Sequence, residues 1–119
     1  MAFGVMGGFM QPQGHLQVLL NMVAHGLNPQ QALDAPRFCI SPDVPEDPKR
    51  GDIGSVVFLE EGIAPDVVER LADMGHEVKV LRGHARQMFG RGQVIHKGAG
   101  GCWAGGSDPR GDGHAVPQI

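Results

Sequence analysis

Apolar residues fall in two rhythms along this chain, and the switch between them orders its elements. Met1 to Met10 is apolar almost throughout, with Phe3, Met6, Phe9 and Met10 set among glycines. That stretch predicts a strand and turn that something must cover. From Gln13 to His25 the rhythm becomes helical: Leu16, Leu19, Leu20, Val23 and Leu27 recur with the spacing of one helix face. Val18, Met22 and Ala24 fill much of the remainder, and only Gln17, Asn21 and His25 interrupt it. A helix this apolar is expected to need contacts on more than one side. Gly26 ends it. Asn28-Pro29-Gln30-Gln31 then opens a second helix, with Asn as N-cap, Pro in the first position and Gln in the third. Pro36 stops that helix after Ala35.

Arg37 to Ile40 reads as a short strand, and Ser41 to Asp52, with its three prolines, as a loop. Ser55 to Glu60 has the β-branched and aromatic content of a buried strand. After the Glu61-Gly62 turn, Pro65-Asp66 starts a helix expected to bury Val67, Val68, Leu71, Ala72 and Met74. Gly75 caps it, and Glu77 to Leu81 alternates as a half-buried strand does. Gln93–His96 and Cys102–Ala104 form a predicted hairpin across Gly98-Ala99-Gly100-Gly101. The fold class expected from this order is α+β, with a mostly antiparallel sheet and packed helices.

Composition narrows this picture. The 119 residues suit one domain, 1–119, and a hydrophobic fraction of 41% against 19% charged fits a globular chain. A net charge of −3 with 10 basic residues argues against a nucleic-acid footprint, and 5% aromatics leave few stacking platforms. No run approaches the roughly 20 apolar residues that span a bilayer, and the opening residues do not read as a secretory leader. The expected compartment is cytoplasmic, with no membrane partner. Cys39 and Cys102 are expected as buried free thiols in strands, since two cysteines make no disulfide framework.

Candidate chemistry centres on Met6-Gly7-Gly8-Phe9-Met10. Adjacent glycines allow positive φ and close backbone approach. A backbone-lined corner ahead of a helix suits developing negative charge; an ordinary tight turn uses the same residues. His15, just beyond, suits capping or packing. The six histidines show no zinc spacing, so no metal is expected, and nothing points to another cofactor. Gly98 to Gly101 is a turn, not a dinucleotide loop, because no helix or distal acid follows. Arg110-Gly111-Asp112 spells an adhesion tripeptide of little specificity, and its charges are expected to form a surface pair worth little.

Gly4 to Gly8, Gln11 to Asn21, Gly26 to Gln30 and Ala32 to Phe38 together resemble the small subunit of the gamma-glutamyltransferase (gamma-glutamyltranspeptidase) family. Phe89 to Gln93 and Gly105 to Arg110 extend the resemblance to nearly the whole chain, although Val116-Pro117-Gln118-Ile119 departs from the usual ending. The resemblance implies part of the four-layer αββα sandwich of the N-terminal nucleophile hydrolases. In that family an N-terminal threonine, freed by self-cleavage, attacks a gamma-glutamyl amide. Its own α-amine can serve as base. Two glycine N–H groups then hold the tetrahedral intermediate; by position these are Gly7 and Gly8.

This sequence contains no threonine, and Ser41, Ser55 and Ser107 do not match the nucleophile's position. The chain is therefore expected to act as the C-terminal piece of such an enzyme's small subunit, or as a truncated homologue, inactive alone. The alternative is a non-catalytic structural or binding module. The implied partners are a glutathione-like gamma-glutamyl compound and the missing upstream segment, or a second copy of the chain covering an open sheet edge.

Overall fold

The computed structural model describes residues 1–42 and 55–117; the loop expected over Ser41–Asp52 therefore lies mostly outside the described residues. In chain order the elements are β1 (Ala2–Met6), α1 (Met10–Val23), α2 (Pro29–Asp34), β2 (Phe38–Pro42), β3 (Ser55–Glu60), α3 (Pro65–Asp73), β4 (Glu77–Leu81), a 3-10 turn (Gly83–Phe89), β5 (Arg91–Lys97) and β6 (Trp103–Ser107). The α+β class expected from sequence holds. Two compact units divide the chain: Met1–Ala35 with Arg86–Ile119, and Pro36–Ala85.

In the first unit β1, β5 and β6 form an antiparallel sheet in the order β1-β5-β6, with Val5 opposite Gly92 and Val94 opposite Gly106. α1 packs on β1, and α2 on β5 and β6. Val5, Val18, Ala32, Leu33 and Val94 make the core, with Phe3, Met22 and Leu27 packed around it. Burying a Val or Leu of this kind contributes about 1.5–3 kcal/mol. Asn28 caps α2 as expected, in a complete capping box with Gln31, and Pro29 occupies the first turn. Gln30 docks α2 on the edge of β6: its amide accepts from the Ser107 N–H at 3.0 Å and donates to the Ser107 carbonyl at 2.9 Å.

α1 differs from expectation in two ways. It begins at Met10 instead of Gln13, because Pro12 sits in the first turn, where its missing N–H costs nothing. Its buried stripe is Met10, Gly14 and Val18, not the leucine face, and Leu16, Leu20 and Val23 are exposed at 54%, 45% and 73%. The cause is close packing: a Cβ on Gly14 would stand 2.8 Å from Val5 Cγ1. Only the glycine side of the helix can approach β1 this closely.

In the second unit the sheet order is β2-β3-β4. β2 and β3 pair antiparallel, whereas β3 and β4, joined through α3, run parallel. Val56, Val57, Leu59 and Glu60 are buried, as suits a central strand. The Glu60 carboxylate accepts from the Arg37 N–H at 2.9 Å. α3 buries no residue completely: Val67 and Met74 are exposed and only Val68 and Leu71 reach half-burial, contrary to the expected buried face. β4 follows the same trend, with Val78 and Leu81 half-buried and Val80 exposed.

Candidate functional site

The Gly7-Gly8 corner forms where β1 ends and α1 begins. Gly7 adopts φ +142° and Gly8 φ +57°, backbone conformations that favour glycine over residues with a Cβ. The carbonyls of Gly7 and Gly8 turn into the helix, accepting from the N–H groups of Met10 and Gln11 at 3.0 Å each. Their own N–H groups meet no backbone or side-chain acceptor among the described residues. α1 has no side-chain N-cap and no acid in its first turn. The positive end of its dipole is thus left uncompensated beside two free amides, which is a setting for an anion. Gly7 is half-buried and Gly8 exposed, with open space where a Gly8 side chain would stand.

The corner rests on Gly90. This residue has φ +73°, and a side chain there would collide with the Met6 carbonyl; Gly90 Cα also stands 3.3 Å from the Cβ position of Gly7. Among the described residues His15 makes no hydrogen bond to the corner: its ring lies edge-on to Phe3 at 5.9 Å and 84°, a packing contact.

Below the start of β5 lies a polar cluster that was not legible in the sequence. Asp108 and Arg110 have side chains only 1% exposed and pair at 3.0 Å. Arg110 Nη1 also donates to the Leu33 carbonyl at 2.8 Å, and Nη2 to that of Ala35 at 3.0 Å. The expected surface pair of Arg110 with Asp112 is therefore replaced by a buried one with Asp108. A buried guanidinium also removes Arg110-Gly111-Asp112 as an adhesion tripeptide.

Cys39 is buried in β2, but Cys102 is exposed and lies in the turn before β6. The expected strand placement fails because β6 starts only at Trp103. A groove of about 740 Å³ lies over β1, β5, β6 and the tail, lined by Phe3, Ile95, Trp103 and Val116 among others. Gln93 is its polar side chain, no titratable group lines it, and the glycine pair takes no part in it. Among the described residues no three His, Cys, Asp or Glu side chains are placed to hold a metal, and no helix is long and apolar enough to cross a membrane.

Comparison with known proteins places the chain in a family. The family model described as gamma-glutamyltranspeptidase matches residues 1–118. A glutathione hydrolase-like proenzyme, YwrD, of Bacillus subtilis is 32% identical over 114 residues, covering 96% of this chain and 20% of its own length. An oxamate amidohydrolase proenzyme of Klebsiella pneumoniae is 29% identical, covering 98% of this chain and 21% of its own. The crystal structure of a cephalosporin acylase from Bacillus halodurans superposes with a TM-score of 0.76 at 42% identity, over 94% of this chain and 19% of that one. The chain thus spans about a fifth of the length of the curated relatives it matches.

Proposed function

Since the chain belongs to the gamma-glutamyltranspeptidase family, we propose that its 119 residues supply the anion pocket for acyl transfer or hydrolysis at a gamma-glutamyl or related amide. The observation that carries this reading is the pair of unengaged N–H groups on Gly7 and Gly8 at the uncapped start of α1. Substrate attack would proceed as follows. A nucleophile from outside these residues adds to the amide carbonyl, the C=O bond opens to an oxyanion, and the two N–H groups donate to it. Collapse of that intermediate breaks the C–N bond as the proton taken from the nucleophile passes to the departing nitrogen; the free amine departs, leaving an acyl-enzyme, which water or an acceptor amine then resolves. One donor of this kind is typically worth about 2.7–4 kcal/mol in the transition state.

The sequence holds no threonine, and this supports a division of labour in which attack and substrate clamping come from another segment. The exposed stripe of Phe9, Leu16, Leu20 and Val23 supports the same division. It is an apolar face suited to packing against that segment or, failing it, against a second copy. The second reading, a non-catalytic module, draws on the missing threonine alone.

The test is an assay with a chromogenic gamma-glutamyl anilide. The chain by itself is expected to release no anilide above background. A chimera placing the chain behind the upstream four-fifths of the Bacillus subtilis relative is expected to turn over. Turnover by the isolated chain, or an inert chimera that folds and self-cleaves, would refute the assignment.

A further inference from the structure

The buried Asp108–Arg110 pair lies outside the glycine corner, yet its bonds lead to it. Asp108 Oδ2 accepts from the Gly92 N–H at 2.7 Å, and the Asp108 N–H donates to the Gly92 carbonyl at 3.1 Å. Both backbone groups of Gly92 are therefore held by one residue. Successive strand residues turn their N–H and C=O groups to opposite sides. With Gly92 committed towards Asp108, its neighbour Arg91 faces β1, where its partner in the ladder is Met6. Met6 is the residue before Gly7. Gly90, on the other side of Arg91, packs its backbone directly on Met6 and Gly7. Three consecutive residues thus carry the position of Asp108 to the glycine pair.

Asp108 is itself fixed. Its Oδ1 accepts from the Arg110 N–H and from Arg110 Nη1, both at 3.0 Å, and the guanidinium is tied to the end of α2 by Nη1 donating also to Leu33 and Nη2 to Ala35. A planar fork with fixed donors locks its partner more tightly than a flexible ammonium does. A Cβ on Gly92 would press on Leu33, stand 3.3 Å from Val5 Cγ2 and 3.4 Å from Asp108 Oδ2, so the strand has no room to shift towards the core.

From this arrangement we propose that Asp108, locked by Arg110, is the positioning residue that fixes the direction of the Gly7 and Gly8 N–H groups. It touches no substrate and acts through Gly92, Arg91 and Met6. The inference rests on the reading of the glycine pair as the anion pocket, but its test needs no turnover.

The measurement is backbone 15N relaxation on the full 119-residue chain and its Asp108→Asn variant. Asparagine offers one acceptor oxygen where the carboxylate has two, so it can hold Arg110 or Gly92 but not both. In the native chain the order parameters of Gly7 and Gly8 are expected near 0.85, as for rigid backbone. In the variant they are expected below about 0.6, with Val18 and Leu33 staying near 0.85. Arg110→Lys, which keeps the carboxylate and loses the fork, is expected to give the same pattern at smaller amplitude. Rigid glycines in a folded Asp108→Asn chain would overturn the proposal, as would glycines already mobile in the native chain. So would a uniform loss reaching Val18 and Leu33, or two variants that fail to fold where the native chain folds, because either outcome makes the pair a stability element only. A localised loss beside an inert chimera would sink the functional reading and leave this inference standing.

Discussion

Replacing Gly90 by alanine tests whether the corner's geometry is what the chain contributes to catalysis. The new Cβ would overlap the Met6 carbonyl oxygen, stand 3.0 Å from Val5 Cγ1 and 3.3 Å from the Met6 carbonyl carbon. Backbone atoms cannot rotate away as a side chain can, so the Met6–Gly7 peptide must move by about 1 Å to reach ordinary contact. Alanine at φ +73° adds roughly 1–2 kcal/mol of its own. The stability loss expected from both effects is about 2–5 kcal/mol, the sum of overpacking and backbone strain. The catalytic loss should be distinct, because a misplacement of about 1 Å costs on the order of 100-fold in rate. In the chimera assayed with a gamma-glutamyl anilide, kcat is expected to fall about 100-fold while KM changes by less than about 3-fold. The control is Gly4→Ala, where nothing lies within 4 Å of the new Cβ and φ is not positive; it should leave kcat unchanged. A Gly90→Ala chimera that folds, self-cleaves and turns over at the native rate would refute the reasoning, since the pocket would then tolerate a displaced Met6–Gly7 peptide.

Four further outcomes rest on the packing. Val18→Ala removes two methyl groups from a site only 1% exposed, so unfolding followed by circular dichroism should show a loss of about 2–3 kcal/mol. Leu20→Ala, at a side chain 45% exposed, should cost under about 1 kcal/mol, and a reversed order would mean that α1 presents its leucine face to the sheet. Thiol labelling of the folded chain should modify Cys102 and spare Cys39 until denaturant is added; equal rates would contradict the burial of Cys39. A Leu16→Gln, Leu20→Gln double variant should reduce self-association in light scattering, and an unchanged mass distribution would show that the α1 stripe is not the contacting face.

The elements were largely legible because each carries its own local signal. Asn28-Pro29-Gln30-Gln31 spells a capping box within four residues, and the structure closes both of its bonds. The glycine corner was legible for the same reason. Which face of α1 is buried was not. Two apolar stripes run along that helix, and periodicity rewards the one with larger side chains. The sheet takes the other, because Gly14 lets Val5 come closer than a leucine would. The βαβ crossover from β3 to β4 hid behind strand signals that look alike in parallel and antiparallel pairings. α3 shows the opposite failure: its apolar residues have the spacing of a buried face but no surface in the described residues that covers them fully.

The Asp108–Arg110 cluster marks the limit of local reading. Ser107-Asp108-Pro109-Arg110 looks like a solvated turn, since two charges astride a proline are ordinary at a surface. What makes them structural is contributed from 75 or more residues away, by the Leu33 and Ala35 carbonyls. Those carbonyls are left over at the end of a six-residue helix that stops at a proline, with no further turn to accept from. Arg110 supplies the missing donors, and its charge in turn needs a buried partner, which is Asp108. Asp108 then spends its second oxygen on Gly92. The helix ended by Pro36 and the strand that supports Gly7 are thus coupled by the need to satisfy buried polar groups, one after another. A charge pair that hydrophobic patterning treats as surface decoration becomes, by that sequence of obligations, the link between the end of α2 and the strand beside the glycine corner.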